Sequence, residues 1–210
     1  MKKILVCFSF LLLSLIAFSQ QVDTVIHTPI YTSYFNYQLH EPLIVTYDLF
    51  HGGGSCSRAS DRFITDGLIE SAAASDYAGN NYDEGHLADS KDFAFDCIKQ
   101  AQTFRFYNCV PQKAKLNRGI WKHFETLIRK ESQTDSLFII CGSFFGTKTI
   151  GANKIAVPDQ CWKIVYNKHS KKIIHSLIFP NDDSDSFQIM DISELKQLIK
   201  EHYPFFTFTF

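Results

Sequence analysis

The sequence predicts an α+β fold with a mostly antiparallel sheet core and flanking helices. Segments with strand character outnumber segments with helical spacing, and the helical segments lie between them without the regular alternation of a parallel α/β fold. The chain contains no internal repeat, low-complexity tract or proline-rich linker. These observations favour one domain.

The first twenty residues read "MKKILVCFSFLLLSLIAFSQ". Two lysines precede an apolar run over residues 4–17, and small residues follow it. The run is short for a bilayer span, so the pattern predicts a cleaved signal peptide over residues 1–20; an uncleaved anchor is the alternative. A single domain over residues 21–210 would then be secreted or periplasmic.

Strands are predicted where aromatic, β-branched and apolar residues cluster, and helices where apolar residues recur at helical spacing. The predicted strands are a hairpin within 31–50, then 105–111 ended by Pro111, 136–146 with a glycine turn, 161–167, 172–181 and a last strand in "YPFFTFTF", 203–210. The predicted helices are 92–104, 117–132 and 191–203, the last with Asp191 as its N-cap.

Charge gives no global argument for a nucleic-acid partner. The formal net charge is −1, and loss of the two N-terminal lysines would make it −3. The segment 99–130 is different, because it holds eight cations and one acid, Glu125. It is either a phosphate-binding surface or a solvated basic helix face.

Cysteine usage is consistent with export. Five cysteines would remain after cleavage, so up to two disulfides are possible with one thiol left over, and the pairing stays open. No two cysteines have CxxC spacing, which argues against a structural zinc site.

A glycine-rich loop, "HGGG" at 51–54, is similar to an oxyanion-hole motif of esterases. That chemistry requires a G-x-S-x-G nucleophile elbow, which this sequence lacks. The glycines are therefore expected to serve a turn or a close backbone approach.

Three polar residues suggest phosphate chemistry when they are considered together: His86 in "YDEGHLADS", Asn117 in "LNRGIW" and Glu125. In a regular α-helix the eight residues from Asn117 to Glu125 turn about 800°, which places Glu125 about 80° round and two turns along. Both side chains could then reach one hydrated Mg²⁺ ion, and a neutral histidine could accept a proton from water. The alternatives are a loop histidine, a helix N-cap and a solvated acid.

Several motifs together resemble the DNA/RNA non-specific endonuclease family, the ββα-metal nucleases. They are "YDEGHLA", "FYNCVPQ" and "LNRGIW" with a glutamate four residues after the tryptophan, and "CSRASDRFITD" resembles the arginine-bearing strand before the site. The resemblance covers most of residues 55–200 and implies a ββα-metal finger.

The resemblance also implies a role for each matching residue. His86 would be the general base, Asn117 the direct ligand of Mg²⁺ and Glu125 a holder of metal-bound water. Arg58 would stabilise the transition state, with Arg62 as a rival. Among the other matches, Asp83 would be a structural acid, and Asn108 and Gln112 would shape the site. Arg118 and Glu84 are further candidates for shaping the site or touching substrate.

Two residues depart from the family pattern. Glu84 stands where the family motif Asp-Arg-Gly-His has its arginine, and Asp89 stands where proline is frequent. An inward-facing Glu84 would repel substrate and favour protonated His86, whereas an outward-facing one would cost little.

The sequence thus predicts an endonuclease that cleaves DNA and RNA with Mg²⁺, or Mn²⁺ as a substitute, and shows no sequence preference. The alternatives are a nucleotide phosphodiesterase or pyrophosphatase, a catalytically impaired homologue that still binds nucleic acid, and a disulfide-braced binding module without phosphate chemistry.

Overall fold

A seven-stranded antiparallel sheet and a separate two-stranded ribbon organise the protein. The computed structural model describes residues 20–58 and 61–210. The strands are β1 (Thr24–His27), β2 (Thr32–Asn36), β3 (Glu41–Leu49), β4 (Asp83–His86), β5 (Cys109–Gln112), β6 (Leu137–Ile150), β7 (Ile155–Asn167), β8 (Lys172–Pro180) and β9 (Gln188–Ile189). The large sheet has the order β1-β2-β3-β6-β7-β8-β9, and β4 pairs with β5. The predicted α+β class with a mostly antiparallel sheet is therefore confirmed.

The helices are short except for two that pack against the sheet. They are α1 (Ala74–Tyr77), α2 (Cys97–Gln102), α3 (Ala114–Leu116), α4 (Lys122–Glu131) and α5 (Ile192–His202). A π-helical turn, Asn117–Trp121, joins α3 to α4. The ribbon β4-β5 followed by this helical segment forms the ββα unit that the resemblance implies.

The predicted hairpin within 31–50 is confirmed as β2 and β3, and the predicted C-terminal helix is confirmed as α5. Asp191 caps α5 by accepting a hydrogen bond from the Ser193 N–H at 2.8 Å. The predicted helix over 92–104 is only partly present, because α2 is six residues long and a 3₁₀ turn covers Ser90–Phe93.

The glycine turn predicted near the end of 136–146 is wrong, because β6 continues through both glycines. A side chain at Gly142 would lie 2.5 Å from the Leu43 carbonyl oxygen and from the Trp162 ring. Glycine is required there by close packing within the sheet. The predicted strand over 105–111 is only partly present, because Phe106–Asn108 form a 3₁₀ turn and β5 runs from Cys109 to Gln112, one residue past Pro111.

The predicted last strand is wrong, although its alternating burial is real. Residues 203–210 form no strand, yet Phe206 is buried and Phe208 and Phe210 pack against the main core. The Phe210 ring stacks on Tyr166 with centroids 4.9 Å apart. Side-chain burial holds this tail against the domain without a backbone ladder.

Two apolar clusters form the core. The main cluster lies between the large sheet and helices α4 and α5, which contribute Phe124, Ile128, Leu195 and Ile199. The second cluster lies beside the two-stranded ribbon and contains Phe63, Tyr77, Phe104, Phe106, Cys109, Ile150, Ile155 and Val157, together with Ala72. The ribbon is therefore supported on one side by its own apolar cluster.

The glycine-rich loop is a close backbone approach, as predicted. Gly54 has φ +132°, and a side chain there would lie 2.1 Å from the Ala94 carbonyl oxygen. A disulfide between Cys56 and Cys97 joins the same loop to the start of α2 across 41 residues. The loop that leads into Arg58 is thus tied to the helix beside the ribbon.

One disulfide forms among the described residues, where up to two were possible. Cys109, Cys141 and Cys161 are buried thiols. Burial raises the pKa of Cys141 to about 12, so this thiol stays protonated and unreactive near neutral pH.

The predicted signal peptide lies outside the described residues except for its last position. Within residues 20–58 and 61–210, no helix has both the length and the apolar character that a bilayer span requires.

Glu41, the first residue of β3, is a buried acid whose carboxylate oxygens have no hydrogen-bond partner in the described part of the chain. Burial, and then the nearby Asp76, raises the pKa of Glu41 well above its usual value. The Glu41 carboxyl therefore keeps its proton in the folded state at pH values at which the same carboxyl in the unfolded state has lost it. Stability contributed by protonated Glu41 is present below that unfolded pKa and is lost as pH rises towards the folded one.

We expect Glu41→Gln to raise the free energy of unfolding at pH 8 by on the order of 1 kcal/mol, the usual size of a single-substitution effect, with a smaller change at pH 4.5 because Glu41 need not take up a proton there. Urea denaturation at both pH values measures this difference. Glu70→Gln is the matched control, because Glu70 is exposed. Equal effects of Glu41→Gln at the two pH values would contradict the assignment.

Candidate active site

A cavity of about 400 Å³ opens between the ribbon strand β4 and the helical segment that follows the ribbon. Six of the residues predicted for the site line it: Arg58, Glu84, His86, Asn117, Arg118 and Glu125. Five further residues complete the lining: Asp89, Lys91, Lys122, Thr126 and Arg129. The structure therefore brings the predicted base, metal ligand and water-holding acid to one cavity.

His86 ends β4 and is 6% exposed at the cavity wall. Its ring lies between Phe63 and Phe104, with centroid distances of 4.4 and 4.7 Å. Its backbone oxygen accepts a hydrogen bond from Trp121 Nε1 at 3.2 Å. Its Nε2 has no hydrogen-bond partner among the described residues. The imidazole is held by packing, and one nitrogen is left for another group.

The protonation state of His86 suits a proton acceptor. Burial lowers the pKa of His86 to about 3, Asp89 opposes that shift and Arg58 adds to it. The imidazole is therefore neutral at pH 7. The expectation that an inward-facing Glu84 would favour protonated His86 is wrong, because desolvation dominates the pKa of His86 and outweighs the opposing charge of Asp89.

Asn117 is oriented by the acid that the resemblance marks as structural. Its Nδ2 donates to Asp83 Oδ2 at 3.0 Å, and Arg118 donates two hydrogen bonds to the same carboxylate at 2.7 and 2.6 Å. Because a carboxylate only accepts hydrogen bonds, the amide nitrogen faces Asp83 and the Asn117 oxygen is left for a ligand. Burial raises the pKa of Asp83, but the bonds from Arg118 and Asn117 outweigh it and the net shift is downward.

The helix that carries Asn117 and Glu125 is not regular, so the predicted 80° relation does not apply. The π turn begins at Asn117, and Gly119 inside it has φ −100° and ψ −113°. Asp185 accepts a hydrogen bond from the Ile120 N–H at 2.8 Å, and its carboxylate occupies the space beside Gly119. Asn117 is inside the helical segment, so the alternative that it is an N-cap is wrong as well.

Behind Glu125 lies a network of buried charges. Arg129 donates to Asp89 and, at 2.9 Å, to Asp92, which also accepts from the Tyr47 hydroxyl at 3.0 Å. Burial, and then the adjacent Asp89, raises the pKa of Glu125, whereas the buried Lys163 lowers it. Asp89, which departs from the family pattern, therefore has a partner in Arg129.

The two candidate arginines occupy different places. Arg58 lines the site cavity, and its guanidinium lies 5.3 Å from the centre of the Phe104 ring. Arg62 lines a neighbouring cavity with Ile64 and Ile98, although its charge lowers the pKa of Glu84. The position of Arg58 is the one that adjoins His86.

Glu84 faces the cavity, which resolves the question of its direction. It is half-buried, and burial raises its pKa while Arg62 opposes the shift. An acid therefore stands on the wall where the family pattern has a cation.

Asn108 and Gln112 lie behind the wall and do not line the cavity. The fully buried Asn108 side chain bonds both the N–H and the carbonyl of Ala88, at 2.8 and 3.0 Å. Gln112 packs against Gly85, and its Nε2 donates to Cys161 Sγ at 3.4 Å. Both can shape the site by supporting the chain on either side of His86, but neither can touch a substrate.

Sequence reasoning missed Lys91 and Thr126, and it placed Lys122 and Arg129 in the basic segment without assigning them to the cavity that they line. The last three fall with Glu125 at the spacing of one helical face, a signal that was available. Only part of the basic segment 99–130 is gathered here, since Lys113 and Lys99 lie over other aromatic rings.

Among residues 20–58 and 61–210, no group of three or more His, Cys, Asp or Glu side chains is arranged to hold a metal ion. A site built on one amide oxygen, one carboxylate and water does not need such a group. The Asn117 oxygen and the Glu125 carboxylate are hard donors of the kind that Mg²⁺ prefers, so the residues present fit the ion.

Comparisons with known proteins agree with this architecture. A profile of the family described as DNA/RNA non-specific endonuclease matches residues 15–206. The mitochondrial nuclease EXOG of Mus musculus is 29% identical over 133 residues, which is 56% of this chain and 36% of the relative. A nuclease of Nostoc sp. is 36% identical over 90 residues, which is 42% of this chain and 33% of the relative. The match spans about a third of each of these relatives' length.

A solved structure shares the fold. The crystal structure of the EndoG/EndoGI complex matches with a TM-score of 0.75 at 21% identity, and the match covers 82% of each chain. The family profile covers nearly the whole sequence, including the ribbon, the π turn and α4. The chain belongs to the DNA/RNA non-specific endonuclease family.

Proposed function

We propose that this protein is a metal-dependent endonuclease that hydrolyses phosphodiester bonds of DNA and RNA without sequence preference. The observation that carries the proposal is the convergence of His86, Asn117, Glu125 and Arg58 on one cavity. Each supplies a different requirement of the reaction, namely a proton acceptor, a metal ligand, a second oxygen donor and a cation for the phosphate.

Asn117 and Glu125 would hold Mg²⁺, with Mn²⁺ as a substitute, Asn117 directly and Glu125 through water. When bound, the ion would supply stabilisation of the negative charge that develops on the phosphate and the leaving oxygen. Asp83 would help to hold the ion indirectly, because the hydrogen bond that it accepts from Asn117 Nδ2 fixes the direction of the Asn117 amide oxygen.

His86 would accept a proton from the attacking water at an imidazole nitrogen. The new bond joins the water oxygen to phosphorus in line with the leaving group, the bond from phosphorus to the 3′-oxygen breaks, and the released 3′-oxygen takes up a proton from solvent to become a 3′-hydroxyl. This yields 5′-phosphate ends. Arg58 would stabilise the added negative charge of the five-coordinate phosphate.

The cavity lining carries five cations and three acids, so its balance favours a polyanion. Contacts to backbone phosphates position a substrate without reading its bases, which is why little sequence preference is expected. The second candidate is a catalytically impaired homologue that binds nucleic acid, and Glu84 on the cavity wall is the observation that favours it.

The substrate class is tested by a panel of closed circular DNA, structured RNA, a p-nitrophenyl phosphodiester and a nucleotide pyrophosphate. Internal nicking of the circle and fragmentation of RNA, both faster than nucleotide hydrolysis, support the endonuclease. Hydrolysis of the nucleotide substrates alone would indicate a nucleotide phosphodiesterase instead of an endonuclease. Binding of DNA without cleavage in either Mg²⁺ or Mn²⁺ would favour the catalytically impaired homologue.

We also propose that the protein acts outside the cytoplasm. Residues 1–20 have the pattern of a signal peptide, and the Cys56–Cys97 disulfide suits an oxidising compartment. Mass spectrometry of the N-terminus of the exported protein tests both the export and the cleavage of residues 1–20.

Glu84→Arg is expected to raise kcat/KM on nucleic acid by on the order of tenfold, because an anion on the cavity wall becomes a cation facing the phosphate. Glu84→Gln should give an intermediate gain, since it only removes the negative charge. Steady-state cleavage of one DNA substrate by the three proteins measures the effect. If both variants match the wild type, Glu84 has no influence on the bound phosphate.

A further inference from the structure

A second cluster of positive charge stands at the far end of the ribbon. Tyr82 precedes β4, and Asp83 pairs with Gln112 in the register of the ribbon. Continuing this antiparallel register by one residue places Tyr82 opposite Lys113, and the Lys113 Nζ lies 5.0 Å from the centre of the Tyr82 ring. The ribbon thus extends beyond the cavity as a cross-strand pair of an aromatic residue and a lysine.

A second lysine reaches the same ring from the long hairpin. Lys148 Nζ also lies 5.0 Å from the centre of the Tyr82 ring. Lys148 is exposed and lies in the part of β6 between Phe145 and Thr149, where the pairing register with β7 shifts. Tyr82 itself packs against the second core cluster, so the ring is a fixed support for both ammonium groups.

The charge of this cluster is poorly neutralised. Lys113 has an acidic neighbour, Asp183, at 3.6 Å, but the Asp183 side chain is 72% exposed and the pair is therefore weak. Within the described residues, Lys148 forms no ion pair or hydrogen bond, and its ammonium group lies over the tyrosine ring. The Tyr82 ring therefore brings two ammonium groups to this end of the ribbon, each 5.0 Å from the ring centre, and a polyanion could contact both.

We propose that Tyr82, Lys113 and Lys148 form a backbone-phosphate subsite for a nucleic-acid strand that continues out of the catalytic cavity. This subsite rests on the endonuclease function proposed above, and it would hold the same nucleic-acid substrate outside the cavity. Arg118, whose side chain is 74% exposed, lines the cavity and is anchored to Asp83, the residue next to Tyr82. The strand would follow a row of cations from the cavity past Arg118 to the two lysines.

The distance involved predicts that only polymers use the subsite. Tyr82 lies four positions before His86, which corresponds to about 13 Å along an extended strand. That is roughly four steps of a duplex strand at about 3.4 Å per nucleotide. A mononucleotide in the cavity would not reach the lysines, whereas a chain several nucleotides long would.

The test is binding of a fluorescent 30-nucleotide single strand in EDTA, where cleavage plays no part, at several salt concentrations. We compare wild type with Lys148→Ala, with Lys113→Ala/Lys148→Ala and with Lys172→Ala. Lys172 is the matched control, because it is an exposed lysine paired with Asn167 at the opposite end of β7. All three exchanges remove lysine side chains from the protein surface, and circular dichroism checks that each protein is folded.

Each lysine removed from the subsite is expected to weaken binding by on the order of fivefold at low salt, and to reduce the slope of log K against log salt by about 0.7. Lys172→Ala should behave as wild type. Hydrolysis of a p-nitrophenyl phosphodiester, which is too short to reach the subsite, should be unchanged in every variant. A wild-type slope and affinity in the double variant would overturn the subsite.

The two proposals fail separately. If the wild type cleaves nothing but the double variant binds with a reduced slope, the subsite stands and the endonuclease does not. If the wild type cleaves DNA but the double variant binds like Lys172→Ala, the endonuclease stands and the subsite is wrong.

Discussion

Replacing His86 with alanine is expected to slow cleavage of DNA and RNA by about 10²- to 10⁴-fold, the usual contribution of a general base. The reason is structural: His86 has a neutral imidazole at the cavity wall, one nitrogen of which has no partner among the described residues. Binding of nucleic acid should remain close to wild type, because the cations of the cavity are untouched. Initial cleavage rates and binding affinity, measured on the same substrate, separate the two effects.

The matched control is His123→Ala, because His123 is an exposed histidine on α4. It should leave the rate unchanged. A second readout is the pH profile of wild-type kcat/KM. Because burial lowers the pKa of His86 to about 3, the imidazole remains neutral from pH 8 down to pH 5 and no histidine-like loss of rate is expected near pH 6.5. Full activity of His86→Ala would reject the assigned base.

Asn117→Ala is expected to lower the cleavage rate by more than about 100-fold at millimolar Mg²⁺. Loss of an outer-shell partner of a metal ligand costs about 10- to 100-fold, and loss of the direct ligand should cost more. The measurement is a titration of the cleavage rate with Mg²⁺ and Mn²⁺, together with the thermal shift that each ion produces. Wild type should show a metal-dependent shift that the variant lacks.

Asn117→Asp distinguishes loss of a ligand from loss of structure. It keeps an oxygen donor but places a second carboxylate where Asn117 Nδ2 now lies 3.0 Å from Asp83. Its rate should recover as the metal concentration rises, whereas that of Asn117→Ala should not. A wild-type metal titration for Asn117→Ala would show that the ion binds elsewhere.

Much of the fold could be predicted from local sequence because its strands are apolar and long. The hairpin of β2 and β3, the strand β8 and the capped helix α5 all follow from periodicity and capping. The errors arose where tertiary packing overrides local signals. The glycine turn predicted within 136–146 is absent, because Gly142 packs against Trp162 inside β6. The alternating C-terminal phenylalanines are buried without a strand to pair with.

The residues that line the cavity could be predicted in large part, whereas their geometry could not. His86, Asn117 and Glu125 were selected by motif, and they do line one cavity. The π turn at Asn117–Trp121 could not be foreseen, because it depends on Asp185, which is 68 residues beyond Asn117 and hydrogen-bonds the Ile120 N–H. The assumption of a regular helix therefore gave the wrong angular relation between two residues that nevertheless line the same cavity.

The two departures from the family pattern have different consequences. Asp89 is compensated within the protein, because Arg129 pairs with it and it accepts a hydrogen bond from the Lys91 N–H at 3.1 Å as the cap of a 3₁₀ turn. Glu84 is not compensated in the same way, since it faces the cavity that the substrate would enter. We therefore expect Glu84 to reduce the rate without removing the reaction.

The most direct test of the central claim is nicking of closed circular DNA by three samples: wild type in Mg²⁺, wild type in EDTA and His86→Ala in Mg²⁺. A metal-dependent endonuclease with His86 as its base nicks the circle rapidly only in the first sample. Equal nicking by wild type in EDTA, or by His86→Ala in Mg²⁺, would contradict it.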